Sequence, residues 1–148
     1  MDYQLILDNI YDQILPFANE GKQADYIPAL AKVNPDHFGM CLNTVNGESY
    51  SIQDSGIRFS IQSISKVFAL ALALSIKGED IWKQVGKEPS GTAFNSLFQL
   101  ELEKGIPRNP FINSGAMVVT DILMNELKDP ENDFIDFVRA LCGNDTVD

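Results

Sequence analysis

The chain has 148 residues, of which 45% are hydrophobic and 9% aromatic, and it carries a formal net charge of −10. This apolar content predicts an ordered globular domain and excludes a disordered chain, which lacks the side chains that offset the entropy of ordering. The eleven basic residues are scattered, which argues against nucleic acid as a partner because phosphate binding requires clustered Lys and Arg. The acidic N-terminus and the short apolar run at 67–76 predict a cytoplasmic protein with no signal peptide and no membrane contact.

Few residues could support cysteine, histidine or metal chemistry. Cys41 and Cys142 lie far apart with no paired spacing, so neither a disulfide framework nor a zinc site is predicted, and we expect buried thiols. Any Ser–His mechanism or multi-histidine metal site would have to use His37, the single histidine, which has no predicted partner to orient it. The sequence therefore predicts no metal and no cofactor.

The first predicted elements are a helix and a β-hairpin. Apolar residues at helical spacing predict an amphipathic helix over residues 3–15, and residues 21–35 read as a loop with room for one helical turn. Asn46-Gly47 separates two strand-like runs and is typical of a type I′ turn, which requires positive φ angles. Two antiparallel strands are therefore predicted, at 38–45 and 48–53.

The later elements are predicted to be mainly helical. The run VFALALAL has no polar face, which predicts a helix over residues 62–76 that is buried on all sides. A short helix is predicted near 79–85, and residues 92–103 fit either a helix or a strand. Asn113 is placed to cap a following helix, and one more helix comes after it. The predicted class is α+β, mostly helical with an N-terminal hairpin.

The tetrapeptide Ser63-Ile64-Ser65-Lys66 places a serine and a lysine three residues apart at the start of the predicted apolar helix. On a helix this spacing brings both side chains to nearly the same face, within hydrogen-bonding reach. A serine hydroxyl becomes a nucleophile when a neighbour removes its proton, and a lysine can do so where desolvation leaves some amine neutral. The alternative is structural: Ser63 is a first-turn polar residue and Lys66 extends to water.

Two longer stretches around this motif are more distinctive. They read GKQADYIPALAKVNPDHFGMCLNTVNGESYSIQDSGIRFSIQSISKVFAL and VGKEPSGTAFNSLFQLELEKGIPRNPFINSGAMVV. These stretches closely resemble the serine-dependent glutaminase family, which hydrolyses L-glutamine to L-glutamate and ammonia on a β-lactamase-like fold. The resemblance implies that Ser63 is the nucleophile and a substrate contact, that Lys66 is its proton acceptor, and that Asn113 and Tyr26 bind the substrate. It also implies self-association, because bacterial members are generally homotetramers.

A complete domain of that family is longer than this chain, and its later part supplies further substrate-binding residues and sheet strands. We therefore expect residues 1–148 to be the amino-terminal portion of a single glutaminase domain, with an incomplete sheet. Two other hypotheses stay open at this point. The chain could be a non-catalytic fragment or interaction module, or it could be a penicillin-recognising serine hydrolase, which shares the S-x-x-K motif. The other two signatures of those hydrolases, an S-D-N-like or Y-x-N-like triplet and a K-T-G-like strand, do not occur in residues 67–148.

Overall fold

The computed structural model describes residues 1–18, 20–96 and 98–148. These residues are mostly helical, with one two-stranded antiparallel sheet, in agreement with the predicted α+β class. They form two compact units, Met1–Phe59 and Ser60–Asp148. Across the described residues, the helices are too short or too polar to span a bilayer.

The first unit begins with a helix, α1 (Tyr3–Ile14), which confirms the helix predicted over residues 3–15. Its start is fixed by Asp2, whose carboxylate accepts a hydrogen bond from the backbone N–H of Leu5 at 3.0 Å. Such a cap satisfies one of the N–H groups that a helix leaves unpaired at its first turn. One side of α1 is apolar and contains the buried residue Leu7.

The hairpin of the first unit consists of β1 (Gly39–Asn43) and β2 (Ser49–Gln53), which pair antiparallel as predicted. The predicted type I′ turn is wrong. Gly47 has a φ of 85°, but Asn46 does not share a positive φ, and the N–H of Gly47 donates to the carbonyl of Thr44 at 3.0 Å. The connection is therefore a three-residue loop in which glycine takes the left-handed position, because a type I′ turn needs two such residues.

The second unit is built from helical segments. In chain order they are a 3-10 turn at Gln62–Ile64, α2 (Ser65–Lys77), a 3-10 helix at Gly78–Lys83, α3 (Phe98–Leu102), α4 (Asn113–Glu126) and α5 (Pro130–Cys142). The helices predicted at 62–76 and near 79–85 are thus confirmed. The first turn of the 62–76 helix is 3-10, and the helix near 79–85 is 3-10 throughout. The ambiguous segment 92–103 contains α3, while its residue Leu97 lies outside the described residues.

The core of the second unit lies between α2 and α4. Its buried members are Leu72, Ala73, Ile81, Val119, Ile122 and Leu123. The prediction that α2 is buried on every side is wrong, because Val67 and Ile76 are 53% and 38% exposed. The run VFALALAL is apolar on all sides of the helix, but α4, α5 and the 3-10 helix Gly78–Lys83, which pack against it, bury only part of that surface.

The two cysteines also differ from expectation. Cys41 and Cys142 are free thiols and both are exposed, whereas buried thiols were predicted. Cys41 points to the exposed side of the alternating strand β1, and Cys142 is the last residue of α5. Their positions on those elements, rather than the apolar character of the thiol, determine their exposure.

Candidate functional site

The candidate nucleophile Ser63 lies in the 3-10 turn that precedes α2, and its side chain is exposed. The residue before it, Gln62, has a φ of 43°, in the left-handed region. A residue with a Cβ in that region costs about 1–3 kcal/mol, and such strain is concentrated at functional sites. A hydrogen bond closes this turn: the hydroxyl of Ser65 donates to the carbonyl of Gln62 at 2.6 Å.

The candidate base Lys66 is half-buried in the first turn of α2, and its amine has two oxygen partners. Nζ donates to the backbone carbonyl of Phe111 at 3.0 Å and to Oδ1 of Asn113 at 2.8 Å. It also lies 6.0 Å from the ring centroid of Phe94, within range of a weak cation–π contact. The fold therefore brings Lys66 and Asn113 into direct contact, although they are far apart in sequence.

Ser63 lies in the 3-10 turn Gln62–Ile64, and Lys66 lies in the first turn of α2, which follows directly. Within the described residues, the Lys66 amine is hydrogen-bonded to Phe111 and Asn113 and not to the Ser63 hydroxyl. Catalytic hydrogen bonds are often long in a ligand-free structure and tighten when substrate is bound, so this arrangement is compatible with proton transfer between the two.

The predicted helix cap at Asn113 is wrong. Ile112 is the N-cap of α4, in an extended conformation and without a side-chain cap, and Asn113 is the first helical residue. The backbone N–H of Asn113 donates to the carbonyl of Phe94 at 2.9 Å, while its side-chain oxygen accepts from Lys66. The Asn113 side-chain oxygen therefore accepts from the candidate base and does not cap the helix.

Asn109 holds the turn that precedes α4, and it was not singled out from the sequence. Its Oδ1 accepts from the backbone N–H groups of Phe111, at 2.9 Å, and Ile112, at 3.2 Å. Asparagine is favoured in such turns because its side chain bonds the backbone two residues on. The dipeptide Asn109-Pro110 is the signal that could have identified it, since Asn-Pro favours the start of a turn.

Tyr26 belongs to the first unit and is 77% exposed, in the segment before the 3-10 turn Leu30–Lys32. Its role as a substrate contact stays a prediction. Over the described residues, no group of three or more His, Cys, Asp and Glu side chains is arranged to hold a metal ion.

A cavity of about 560 Å³ lies in the second unit beside the Lys66 contacts. It is lined by Leu70, Trp82, Lys87, Glu88, Pro89, Ser90, Phe94, Asn109, Pro110 and Phe111. Phe94 and Phe111 also contact Lys66, but neither Ser63 nor Lys66 lines the cavity. On its wall, the Lys87 amine lies 4.4 Å from the ring centroid of Trp82 and pairs with Glu79.

Comparison with known proteins assigns the family. Residues 21–148 match the family model described as Glutaminase. The chain is 55% identical to a glutaminase of Rhizobium etli (strain CIAT 652) over 148 residues, which cover 99% of this chain and 48% of the relative. It is 52% identical to a glutaminase of Ralstonia nicotianae (strain ATCC BAA-1114 / GMI1000), covering 100% of this chain and 49% of that relative.

Solved structures agree with this assignment. The probable glutaminase ybaS has a TM-score of 0.83 and 34% identity, over 94% of this chain and 46% of that chain. Mglu in its tris and glutamate form has a TM-score of 0.79 and 37% identity, over 93% of this chain and 32% of that chain. The chain belongs to the glutaminase family. It spans about half the length of the curated relatives it matches.

Proposed function

We propose that a protein of full family length carrying this sequence hydrolyses L-glutamine to L-glutamate and ammonia, with Ser63 as nucleophile and Lys66 as its proton acceptor. The observation that carries the proposal is the pair of hydrogen bonds from the Lys66 amine to Phe111 and Asn113, one turn from an exposed serine. The 55% identity to a named glutaminase supports the reaction.

The two acceptors around Lys66 match what a proton acceptor needs. A neutral amine has two N–H groups and one lone pair. Donating both N–H groups, to the carbonyl of Phe111 and to Oδ1 of Asn113, leaves the lone pair available for a third group. In the proposed mechanism that group is the hydroxyl of Ser63, whose proton moves to the amine as the oxygen attacks.

The reaction then follows the chemistry of other serine nucleophiles. The Ser63 oxygen bonds to the side-chain amide carbon of glutamine, and the proton held by Lys66 passes to the departing nitrogen, which leaves as ammonia. The remaining glutamyl ester on Ser63 is attacked by water, whose proton is taken by Lys66 and returned to the serine oxygen. Glutamate is released and both side chains regain their starting states.

Asn113 and Tyr26 are the proposed substrate contacts. The Oδ1 atom of Asn113 is committed to Lys66, so its Nδ2 group is the part that can donate to a carboxylate or carbonyl of the substrate. A relative at 37% identity has been solved in its tris and glutamate form, which supports an amino-acid ligand of this size. The hydroxyl of Tyr26 is proposed to orient the same ligand.

Three further features belong to the proposal. Residues 1–148 form the amino-terminal portion of one glutaminase domain, and that domain has the β-lactamase-like fold. The assembled protein is a homotetramer, as the resemblance implies, which the mass of the native protein would check. TM-scores of 0.79 and 0.83 to other members of the family support the shared fold.

The test is ammonia release from L-glutamine by the full-length protein and by Ser63→Ala and Lys66→Ala variants. We expect kcat of each variant to fall by at least about 10³-fold, because removing one member of a catalytic unit costs about as much as removing the whole unit. Ser75→Ala and Lys77→Ala are matched controls at the other end of α2, where the serine bonds the Leu72 carbonyl and the lysine pairs with Glu126.

Wild-type turnover by Ser63→Ala would contradict the assignment of Ser63 as the nucleophile. Wild-type turnover by Lys66→Ala would contradict the assignment of Lys66 as the base. A folded wild-type protein that releases no ammonia would favour the non-catalytic module. Covalent labelling of Ser63 by a β-lactam, without glutamine turnover, would favour the penicillin-recognising hydrolase.

A further inference from the structure

The peptide group between Phe111 and Ile112 is bonded on both of its edges. Its carbonyl, on Phe111, accepts the hydrogen bond from Lys66 Nζ at 3.0 Å. Its N–H, on Ile112, donates to Oδ1 of Asn109 at 3.2 Å. Because a peptide group is planar and rigid, holding its N–H also fixes the direction of its carbonyl. From this we infer that Asn109 is a positioning residue for Lys66, an inference that rests on the proposed Ser–Lys function.

A second bond adds to the control of that peptide group. The same Oδ1 atom of Asn109 accepts from the N–H of Phe111 at 2.9 Å, so one side-chain oxygen orients two successive peptide groups. The Phe111 carbonyl is therefore aimed at Lys66 by an amide side chain that itself has no hydrogen bond to the amine among the described residues.

Asn109 is itself anchored from two directions. Its Nδ2 group donates to the carbonyl of Glu88 at 2.9 Å, and the N–H of Glu88 donates back to the carbonyl of Arg108 at 2.9 Å. On the other side, the backbone lies against α4, where a Cβ built on Gly115 would come within 1.9 Å of the Asn109 carbonyl oxygen. The turn is thus held between the segment around Glu88 and the first turn of α4.

This arrangement predicts a defect in rate rather than in substrate binding. Without the side chain at position 109, the Phe111 peptide can rotate, and the Lys66 amine loses one of the two fixed acceptors that set its direction, keeping only Oδ1 of Asn113. A displacement of about 1 Å at a reacting group costs on the order of 10²-fold in rate. The backbone N–H of Asn113 keeps its hydrogen bond to the Phe94 carbonyl, and Tyr26 lies in the other unit, so we expect KM to change less than kcat.

The experiment compares Asn109→Ala, Asn109→Asp and Asn125→Ala in the full-length protein. Asn109→Ala should lower kcat by about 10- to 100-fold with KM within about threefold. Asn109→Asp keeps an oxygen that accepts from both N–H groups, so it should recover part of the lost kcat. Asn125→Ala is the matched control, because the side chain of this exposed residue bonds the Asp121 carbonyl within α4, and the variant should behave as wild type.

A second readout separates this inference from the proposed function. The NMR signal of the Lys66 side-chain nitrogen, assigned by its loss in Lys66→Arg, should move in Asn109→Ala and stay in place in Asn125→Ala. An unmoved signal would overturn the inference whatever the activity. A moved signal in a protein whose wild type does not hydrolyse glutamine would support the positioning contact and contradict the proposed function.

A merely structural role for Asn109 predicts a different pattern. In that case Asn109→Ala would lower the melting temperature but leave kcat unchanged when assayed well below it. Wild-type kcat in Asn109→Ala would overturn the inference, and so would a loss of kcat that Asn109→Asp does not relieve at all.

Discussion

The two units of the molecule differ in how much apolar surface they bury. In the first unit the buried apolar residues among those described are Leu7 and Ile52. The second unit buries a larger set, which consists of Leu72, Ala73, Ile81, Val85, Ile112, Val119, Ile122, Leu123 and Val138. Because burial of apolar area is the main favourable contribution to folding, we expect the second unit, which carries Ser63 and Lys66, to be the more stable one.

Truncating one isoleucine in each unit should give the largest effect and tests directly whether the second unit is the better packed. Ile81 is fully buried in the core of the second unit, whereas Ile52 is 8% exposed on the two-stranded sheet. Ile81→Ala should lower the free energy of unfolding by about 2–5 kcal/mol, and Ile52→Ala by an amount at or below the low end of that range. Urea denaturation of the 148-residue chain measures both. Equal losses would show that the two units are packed equally well.

A smaller effect is expected from a glycine beside the site. The Cβ of Gly115→Ala would meet the Asn109 carbonyl at 1.9 Å, whereas a Cβ at Gly91 would meet no atom within 4 Å. Overpacking of this kind typically costs about 1–3 kcal/mol, and here it would also displace the turn that holds Phe111. Gly115→Ala should therefore lower both thermal stability and kcat, with Gly91→Ala as the control. Unchanged kcat in Gly115→Ala would show that the turn can shift without moving Lys66.

The smallest expected effect compares two strained glutamines, one in each unit. Gln53, at the end of β2, has a φ of 50°, and Gln62, beside Ser63, has a φ of 43°. Glycine relieves left-handed strain but adds freedom to the unfolded chain, so each Gln→Gly change should alter the free energy of unfolding by no more than about 1 kcal/mol. Only Gln62→Gly should lower kcat, because it loosens the turn that presents Ser63. An equal kcat for both variants would show that the strain at Gln62 has no part in catalysis.

Much of the fold could be predicted from local patterns. The apolar spacing at the start of the chain predicted α1, and the Asn46-Gly47 dipeptide predicted the hairpin, because these elements depend on neighbouring residues. The exposure of Val67 on α2 was missed, since a helix that is apolar all round does not show which of its sides has a neighbour.

The contacts of the candidate site were harder to predict. The S-x-x-K motif indicated Ser63 and Lys66 as site residues. The resemblance to the glutaminase family indicated Asn113. The bond between Lys66 and Asn113 joins residues 47 positions apart, and the partner at Phe111 is a backbone carbonyl, which carries no sequence signature. The turn at Asn109 had a local signal, but its importance depends on those long-range contacts.

The distribution of aromatic residues offers a direct way to observe the two units separately. The four tyrosines, Tyr3, Tyr11, Tyr26 and Tyr50, all lie in the first unit, while the single tryptophan, Trp82, lies in the second, on the cavity wall under Lys87. Tryptophan fluorescence of the 148-residue chain therefore reports on the environment of one unit, and second-derivative absorbance, which separates the tyrosine bands from those of tryptophan, reports on the other. Following both signals in one urea titration would reveal whether the two units unfold together or in succession, without any added label.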